Sequence, residues 1–406
     1  MVQSEEQKRL QIILNRFFFK KHRTIKCMIL DRRRKNRKEE KMAGSVFGTC
    51  FKISTWGESH GKGVGVVVDG CPAGLELSEE DIQVFLDRRK PGKSRYATSR
   101  KEEDAVEILS GIFEGKTTGT PISMIVYNKT QRSKDYSEIA NYYRPGHADL
   151  TYDLKYGFRD YRGGGRSSGR ETIGRVAAGA IAVKILNQLG ITFTTYTKSI
   201  GPIEIQDFCE EEIQNNPFCM PDAQAAQAAS QYLETCMSEG NSSGGTIECV
   251  VHHMKPGIGE PVFDKLSANL AKAICSIGAV KGFEIGDGMQ VARVKGSQNN
   301  DAYGAGEDGK PVKLTNHSGG ILGGISDGSD LIFRAAIKPT ASIFKEQQTV
   351  TRTGEEIQVN IRGRHDPVIV PRAVVVIEAM AALTILDLMM LSMTSRIEYL
   401  QHFFQS

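Results

Sequence analysis

From Val46 onward, short apolar runs alternate with glycine-rich punctuation. The run from Val64 to Val68 closes on Asp69-Gly70, the pattern of a buried strand ending in a turn. Ser78-Glu79-Glu80-Asp81 supplies a capping hydroxyl and an acidic first turn. It predicts a helix through Phe85 to Arg89 that stops before Pro91-Gly92. Residues 119–128 (GTPISMIVYN) predict another strand, and 172–189 space their apolar residues as a packed helix does. Residues 204–240 read as a polar, helical surface region. Strands are expected over 243–253 and 288–294 around a helix at 264–277, then a strand at 330–337 and a long buried helix at 374–392. The most apolar stretch, 373–391, is interrupted by Glu378 and Asp387, so it reads as a core helix and not a membrane span.

The alternation lacks the fixed period of a solenoid or a (β/α)₈ barrel. Two glycine-rich, histidine-bearing stretches, GESHGKGVG and NHSGGILGGISDG, lie in opposite halves and hint at an internal duplication.

Composition changes this picture in two places. With 406 residues, 40% apolar and 25% charged, the chain is a globular one and not collagen-like, mucin-like or largely disordered. Its length allows two or three ordinary domains or one large one. The formal charge of +4 is unevenly held: residues 1–41 carry +9 and the remainder −5. A nucleic-acid partner inferred from the overall balance is therefore unwarranted. The 1–41 segment is serine-poor and carries Glu5 and Glu6, against a transit peptide, and a membrane-surface or nucleic-acid arm is the second reading. The preferred reading is a basic, disordered extension upstream of a start at Met42, with one domain over 42–406. The eight cysteines form no CxxC pair and have no histidines at zinc spacing, so reduced thiols in a cytoplasmic protein without a metal site are expected.

Three motif-like stretches carry less than they suggest. GIFEGKT (111–117) is one residue short of a phosphate loop. Gly61-x-Gly63-x-Gly65 precedes its strand, the wrong context for a dinucleotide fingerprint. His252-His253 has no carboxylate or cysteine partner nearby in sequence and reads as a surface pair.

The chemistry concentrates elsewhere. His60 sits between glycines in WGESHG, which give it no packing shell and let a ligand approach the backbone. DRRKPGKSR (87–95) alone would be a solvated basic face. RPGHAD (144–149) is followed by RDYRGGGRSSGRET (159–172), whose arginines, spaced by glycine and serine and leading into a helix, make an oxyanion site. KPTAS (338–342) and RGRHDP (362–367) follow, the latter placing Asp366 among cations that favour its ionised form. Many anion-binding groups, glycine-flanked histidines and one cation-flanked aspartate imply a small, multiply anionic, phosphorylated substrate handled by acid–base chemistry.

In their order, GESHG, RPGHAD, DYRGGGRSSGRET, NHSGGILGGISDG, KPTASI and GRHDP resemble the chorismate synthase family from about residue 42 to 391. The resemblance implies an α+β fold, a β-α-β sandwich with helices between two antiparallel sheets in a single large domain, assembled as a homotetramer. It implies a carbon–oxygen lyase of the shikimate pathway that converts 5-enolpyruvylshikimate 3-phosphate to chorismate. Reduced FMN (FMNH2) is used without net consumption, and electrons come either from NADPH or from a separate reductase. His60 would protonate the departing phosphate. His147 would stabilise negative charge on the reduced flavin, and Asp366 would work with flavin N5 in removing the C6 proton. Arg89 and Arg95 would bind substrate anions or, alternatively, NADP. Arg166, Ser167, Ser168, Gly278, Ala279, Gly323, Lys338, Pro339, Thr340, Ala341, Ser342 and Arg364 would hold FMN. Gly278 stands where asparagine or proline is common and Ala341 where serine is frequent, so both would offer backbone contacts only. The alternative classes are a non-catalytic phosphate- or nucleotide-binding module and a redox flavoprotein. No membrane and no nucleic acid are expected as partners.

Overall fold

A computed structural model describes residues 44–90, 96, 103–129, 138–306, 309–361 and 366–405. Its first sheet contains β1 (Val46–Phe47), β2 (Lys52–Gly57), β3 (Gly63–Asp69), β4 (Val106–Ile108) and β5 (Ile122–Tyr127) in the order β1-β2-β3-β5-β4, antiparallel throughout. Helix α1 (Glu79–Arg89) lies between β3 and β4 in the chain. The capping expected at Ser78 is present: its hydroxyl accepts from Asp81 N–H while Asp81 accepts from Ser78 N–H at 2.9 Å.

Helices α2 (Asp149–Tyr156) and α3 (Thr172–Gln188) follow. The second sheet contains β6 (Thr192–Ile200), β7 (Ile203–Glu204), β8 (Gly245–His252), β9 (Val280–Ile285) and β10 (Leu331–Ile337) in the antiparallel order β9-β10-β8-β6-β7. Helix α4 (Ala223–Ser238) precedes β8, and α5 (Leu266–Cys275) separates β8 from β9. Two last helices, α6 (Val370–Ser392) and α7 (Ile397–Gln405), close the described chain.

The halves share a plan. In each, a central strand (β3 or β8) is followed by a helix (α1 or α5), an edge strand (β4 or β9), and a strand inserted between them (β5 or β10). A long buried helix then follows each half, α3 after the first and α6 after the second. The duplication hint is therefore matched by topology. Its two sequence carriers do not correspond: GESHGKGVG is the turn from β2 into β3, whereas NHSGGILGGISDG is a loop and short hairpin before β10.

The helices make a layer that touches both sheets: α3 packs on β2, β3 and β5, α6 packs on β6 and β8, and α3 and α6 pack on each other. Burying two apolar faces against one helical layer is what gives an α+β chain of this length a continuous core. Ile173, Val176, Ile181 and Leu186 of α3 and Val374, Ile377, Leu383 and Ile385 of α6 belong to that core. Where the helices cross, a Cβ on Gly179 would stand 2.3 Å from Ala379 Cβ, so glycine permits the approach. Helix α6 is the one helix among the described residues long and apolar enough to cross a membrane, with a mean hydropathy of 2.2, but 83% of that window is buried. Its two carboxylates are satisfied. Glu378 pairs bidentately with Arg88 at 2.8 and 2.7 Å, and Asp387 accepts from the N–H groups of Thr49, Cys50 and Phe51.

Two expectations change, and one strand has no counterpart among them. Residues 288–294 are not a strand: Gly288–Arg293 is a 3-10 turn with Met289 and Val291 exposed, and the strand beside α5 is β9. The 204–240 region holds a short helix, Glu212–Asn215, and α4, whose Ala225, Ala226, Ala229 and Leu233 face the interior. Strand β6 (TFTTYTKSI) carries no apolar period because its buried positions include Thr195 and Thr197; Thr195 instead hydrogen-bonds Cys249.

Candidate active site

His60 stands in the turn between β2 and β3. Its Nδ1 lies 3.1 Å from Ser59 Oγ, and a Cβ at Gly163 would come within 2.2 Å of that nitrogen. Gly163 in the RGGGR stretch thus serves a close approach, letting the arginine loop lie directly on the imidazole. That loop continues through two 3-10 turns, Gly165–Ser167 and Gly169–Glu171, into α3. Gly65 is likewise a packing glycine, since a Cβ there would meet the Trp56 ring at 2.4 Å.

Arg166 is turned inward. Its guanidinium donates to the carbonyls of Gly57 and Thr55 at 3.1 and 3.0 Å and to Thr55 Oγ1 at 2.6 Å, fastening the loop to β2. Ser167 lies beside Gly278, whose Cβ position is 4.0 Å from the Ser167 carbonyl oxygen. Ala279 has a left-handed backbone, φ 74°, and its carbonyl accepts from Lys338 N–H at 2.9 Å. The KPTAS segment then meets RPGHAD: Lys338 Nζ donates to the Gly146 carbonyl at 2.8 Å, and a Cβ on Gly146 would stand 2.8 Å from Ala341 Cβ.

His147 bonds at both nitrogens, with Nδ1 3.0 Å from the Pro145 carbonyl and Nε2 3.0 Å from Ser342 Oγ. A carbonyl only accepts, so Nδ1 carries the hydrogen and Nε2 of the neutral ring accepts from Ser342. Burial, and then the cations of Arg144 and Lys338, hold the His147 pKa below its ordinary value. The RPGHAD loop is tied down by Asp149, which takes Arg144 bidentately at 2.8 and 2.7 Å. Its carboxyl is held below the usual range by those bonds against its own burial.

Asp366 Oδ2 accepts from Arg372 Nη1 at 2.5 Å, and Arg372 Nε donates to the Arg89 carbonyl at 3.1 Å. Asp366 and Ser342 share a cavity of about 120 Å³ with Asn241 and Ser242. Arg89 is only 2% exposed; its guanidinium pairs with the buried Asp104, and Asp104 also takes Arg170 at 2.9 Å. A larger depression of about 300 Å³ beside Tyr96 and Phe218 contains none of the residues singled out from sequence.

The structure therefore joins His147, Lys338, Ala341, Ser342, Asp366, Ser167, Gly278 and Ala279 by direct contacts or a shared cavity, with His60 against the same arginine loop through Gly163. Ser168 caps the turn that leads into α3, and its hydroxyl accepts from Arg170 N–H at 3.3 Å. Pro339 and Thr340 follow Lys338, and the buried Thr340 hydroxyl has no hydrogen-bond partner among the described residues. Gly323 stands apart from these contacts, at the tip of the hairpin Ile321–Leu322/Ile325–Ser326, where a Cβ would meet no atom within 4 Å. Arg95 and Arg364 lie outside the described residues.

The residues 111–117 form a tight hairpin, Ile112–Phe113 with Lys116–Thr117, and not a phosphate loop. His252 has no carboxylate nearby in sequence but meets one from a distant segment: its Nδ1 is 2.9 Å from Asp330 and its Nε2 2.9 Å from Thr194. Asp104, Asn128 and Arg372 carried no sequence signal, because each acquires its partners only when distant segments meet. Among the described residues, no group of three or more His, Cys, Asp or Glu side chains is arranged to hold a metal ion.

Comparison with known proteins extends the geometry. The family model described as chorismate synthase matches residues 51–390. The chain is 68% identical over 366 residues to a protein named chorismate synthase from Lachnoclostridium phytofermentans, covering 90% of this chain and 100% of that one. It is 51% identical over 358 residues to the chorismate synthase of Chloroflexus aggregans, covering 88% and 98%. A crystal structure of a chorismate synthase superposes with a TM-score of 0.70 at 30% identity, covering 88% of this chain and 97% of that one.

Proposed function

Because the chain belongs to the chorismate synthase family, and so is a carbon–oxygen lyase, we propose that it performs the anti-1,4-elimination of phosphate from 5-enolpyruvylshikimate 3-phosphate with reduced FMN as a cofactor that is not consumed. The observation that carries this reading is the hydrogen bond between His147 and Ser342, which brings together the RPGHAD and KPTAS segments, 195 positions apart. A histidine assigned to steady flavin charge and a segment assigned to hold FMN would need such a contact.

The reaction breaks the bond to the phosphate oxygen and a C–H bond at C6. His60 is assigned to protonate the leaving phosphate, and a positioned acid of this kind supplies about 10²–10⁴ in rate. Asp366, oriented by Arg372, is assigned to the C6 proton. Ser167, Ser168, Gly278, Ala279, Lys338, Pro339, Thr340, Ala341, Ser342 and Arg364 would hold FMN. Such a group fits the unpartnered Thr340 hydroxyl and the ammonium of Lys338. Arg166 would act from behind, since its donors are engaged by β2, and a Gly323 contact in the same protomer has no support in the geometry. When bound, reduced FMN supplies an electron-rich ring that eases departure of the phosphate. His147 enters neutral; an anion placed beside it favours a proton on Nε2 in place of the Ser342 bond.

Arg89 supports the anion-binding assignment less directly, because its guanidinium is buried and already paired with Asp104, which it shares with Arg170. The pair Arg89 and Arg95 is assigned to the substrate, with NADP as the alternative ligand. The reading extends to a homotetramer working in the cytoplasm. The test is an anaerobic assay with dithionite-reduced FMN and 5-enolpyruvylshikimate 3-phosphate. Chorismate should form, and His60→Ala and His147→Ala should each lower turnover by about 10² or more. Wild-type turnover in both variants would defeat the proposal. Repeating the assay with NADPH and oxidised FMN decides whether the protein reduces its own flavin.

A further inference from the structure

Asn128 follows the end of β5 and spends its whole side chain on three partners. Its Nδ2 donates to the carbonyls of Glu58 at 3.0 Å and Gly61 at 2.9 Å, the two ends of the turn that carries His60. Its backbone N–H donates to the Lys62 carbonyl at 3.0 Å, and the turn itself is closed by Gly61 N–H on Glu58 at 3.0 Å. The amide orientation is fixed by these partners: carbonyls need the NH₂, while Oδ1 accepts from Arg170 Nε at 2.5 Å. Arg170 is held in turn by Asp104 at 2.9 Å, and Asp104 also binds Arg89. The turn is thus clamped from one side by Asn128 while Gly163 lies against the imidazole.

We propose that Asn128 is a positioning residue for His60, fixing the imidazole-bearing turn relative to the Arg170–Asp104–Arg89 array. The inference rests on the acid role assigned to His60. No other side chain of similar size meets the demand: aspartate lacks both donors, leucine lacks all three groups, and glutamine is a methylene too long. A general acid displaced by about an ångström loses much of its rate contribution without changing how the substrate is bound.

The test is a double-mutant cycle in the complete protein with chemically reduced FMN. Asn128→Asp keeps the shape and the acceptor for Arg170 but removes both donors. It should lower kcat about 10- to 100-fold with KM within about threefold, and should lower kcat no further in the His60→Ala background. A wild-type kcat, a KM that rises as far as kcat falls, or a full additional loss in the His60→Ala background would overturn the proposal. Should Asn128→Asp not fold, as judged by circular dichroism, Asn128→Gln replaces it in the same cycle under the same criteria. If His60→Ala alone turns over normally, the acid role fails first and the proposal falls with it, an outcome separate from a clamp that does not act.

Discussion

His147 illustrates how one side chain's surroundings set both its tautomer and its titration. Its folded pKa is depressed below the ordinary 6.5. The unfolded chain therefore binds the proton first as pH falls. Stability from this group is complete above about pH 6.5 and declines as pH drops from there toward the folded pKa. Unfolding midpoints of wild type and His147→Gln, measured between pH 7.5 and 5, should show the steeper loss in the wild type. Removing one of the cations named as a cause, by Lys338→Met, should move the histidine's NMR titration upward. Asp387 makes the complementary case for an anion. With three backbone N–H groups on one buried carboxylate, Asp387→Asn should cost about 2–3 kcal/mol in urea unfolding. At this scale the sequence was informative wherever glycine flanked a charged or aromatic side chain, as at His60 and His147. It was silent on Asp104 and Arg372, whose surroundings in sequence are ordinary and whose partners arrive from other elements.

Helix α3 against helix α6 is the element contact on which the core turns. Gly179 has a Cβ position 2.3 Å from Ala379, so Gly179→Val should separate the helices and destabilise by about 1–3 kcal/mol, read from urea midpoints at unchanged m-value. Elements whose burial follows a simple period were legible: β3 as a valine run, α1 from its cap, α3 and α6 from apolar spacing. Strand β6 was not, because threonines fill buried positions and bond sideways. The departure over 288–294 has the opposite cause: Met289 and Val291 alternate like a strand's inner face but are exposed. Apolar residues do not all go inside, and polar ones do not all stay out.

At the scale of the molecule, the division of the chain into an extension over 1–41 and one domain over 42–406 is a proposal to be tested directly. The family match begins at residue 51, and Ser45–Ser406 forms one compact unit. A chain begun at Met42 is expected to fold and to turn over substrate at the full-length rate; a large loss would assign residues 1–41 a part in activity. Among the described residues the two half-plans meet through their long helices and through the contact of RPGHAD with KPTAS, and α6 follows both sheets in the chain. The second sheet precedes in the chain the long helix that packs on it, so partly made chains display raw apolar surface. The completing segment is itself oily enough to be mistaken for a membrane anchor. Glu378 and Asp387 then act before folding as well as after it: a charge raises the cost of straying into lipid, by about 2.5–3.5 kcal/mol for an aspartate at mid-bilayer and by less nearer the helix end, where Asp387 stands. The same two carboxylates that are paired in the finished core thus make that segment a poor occupant of lipid before it finds its partners.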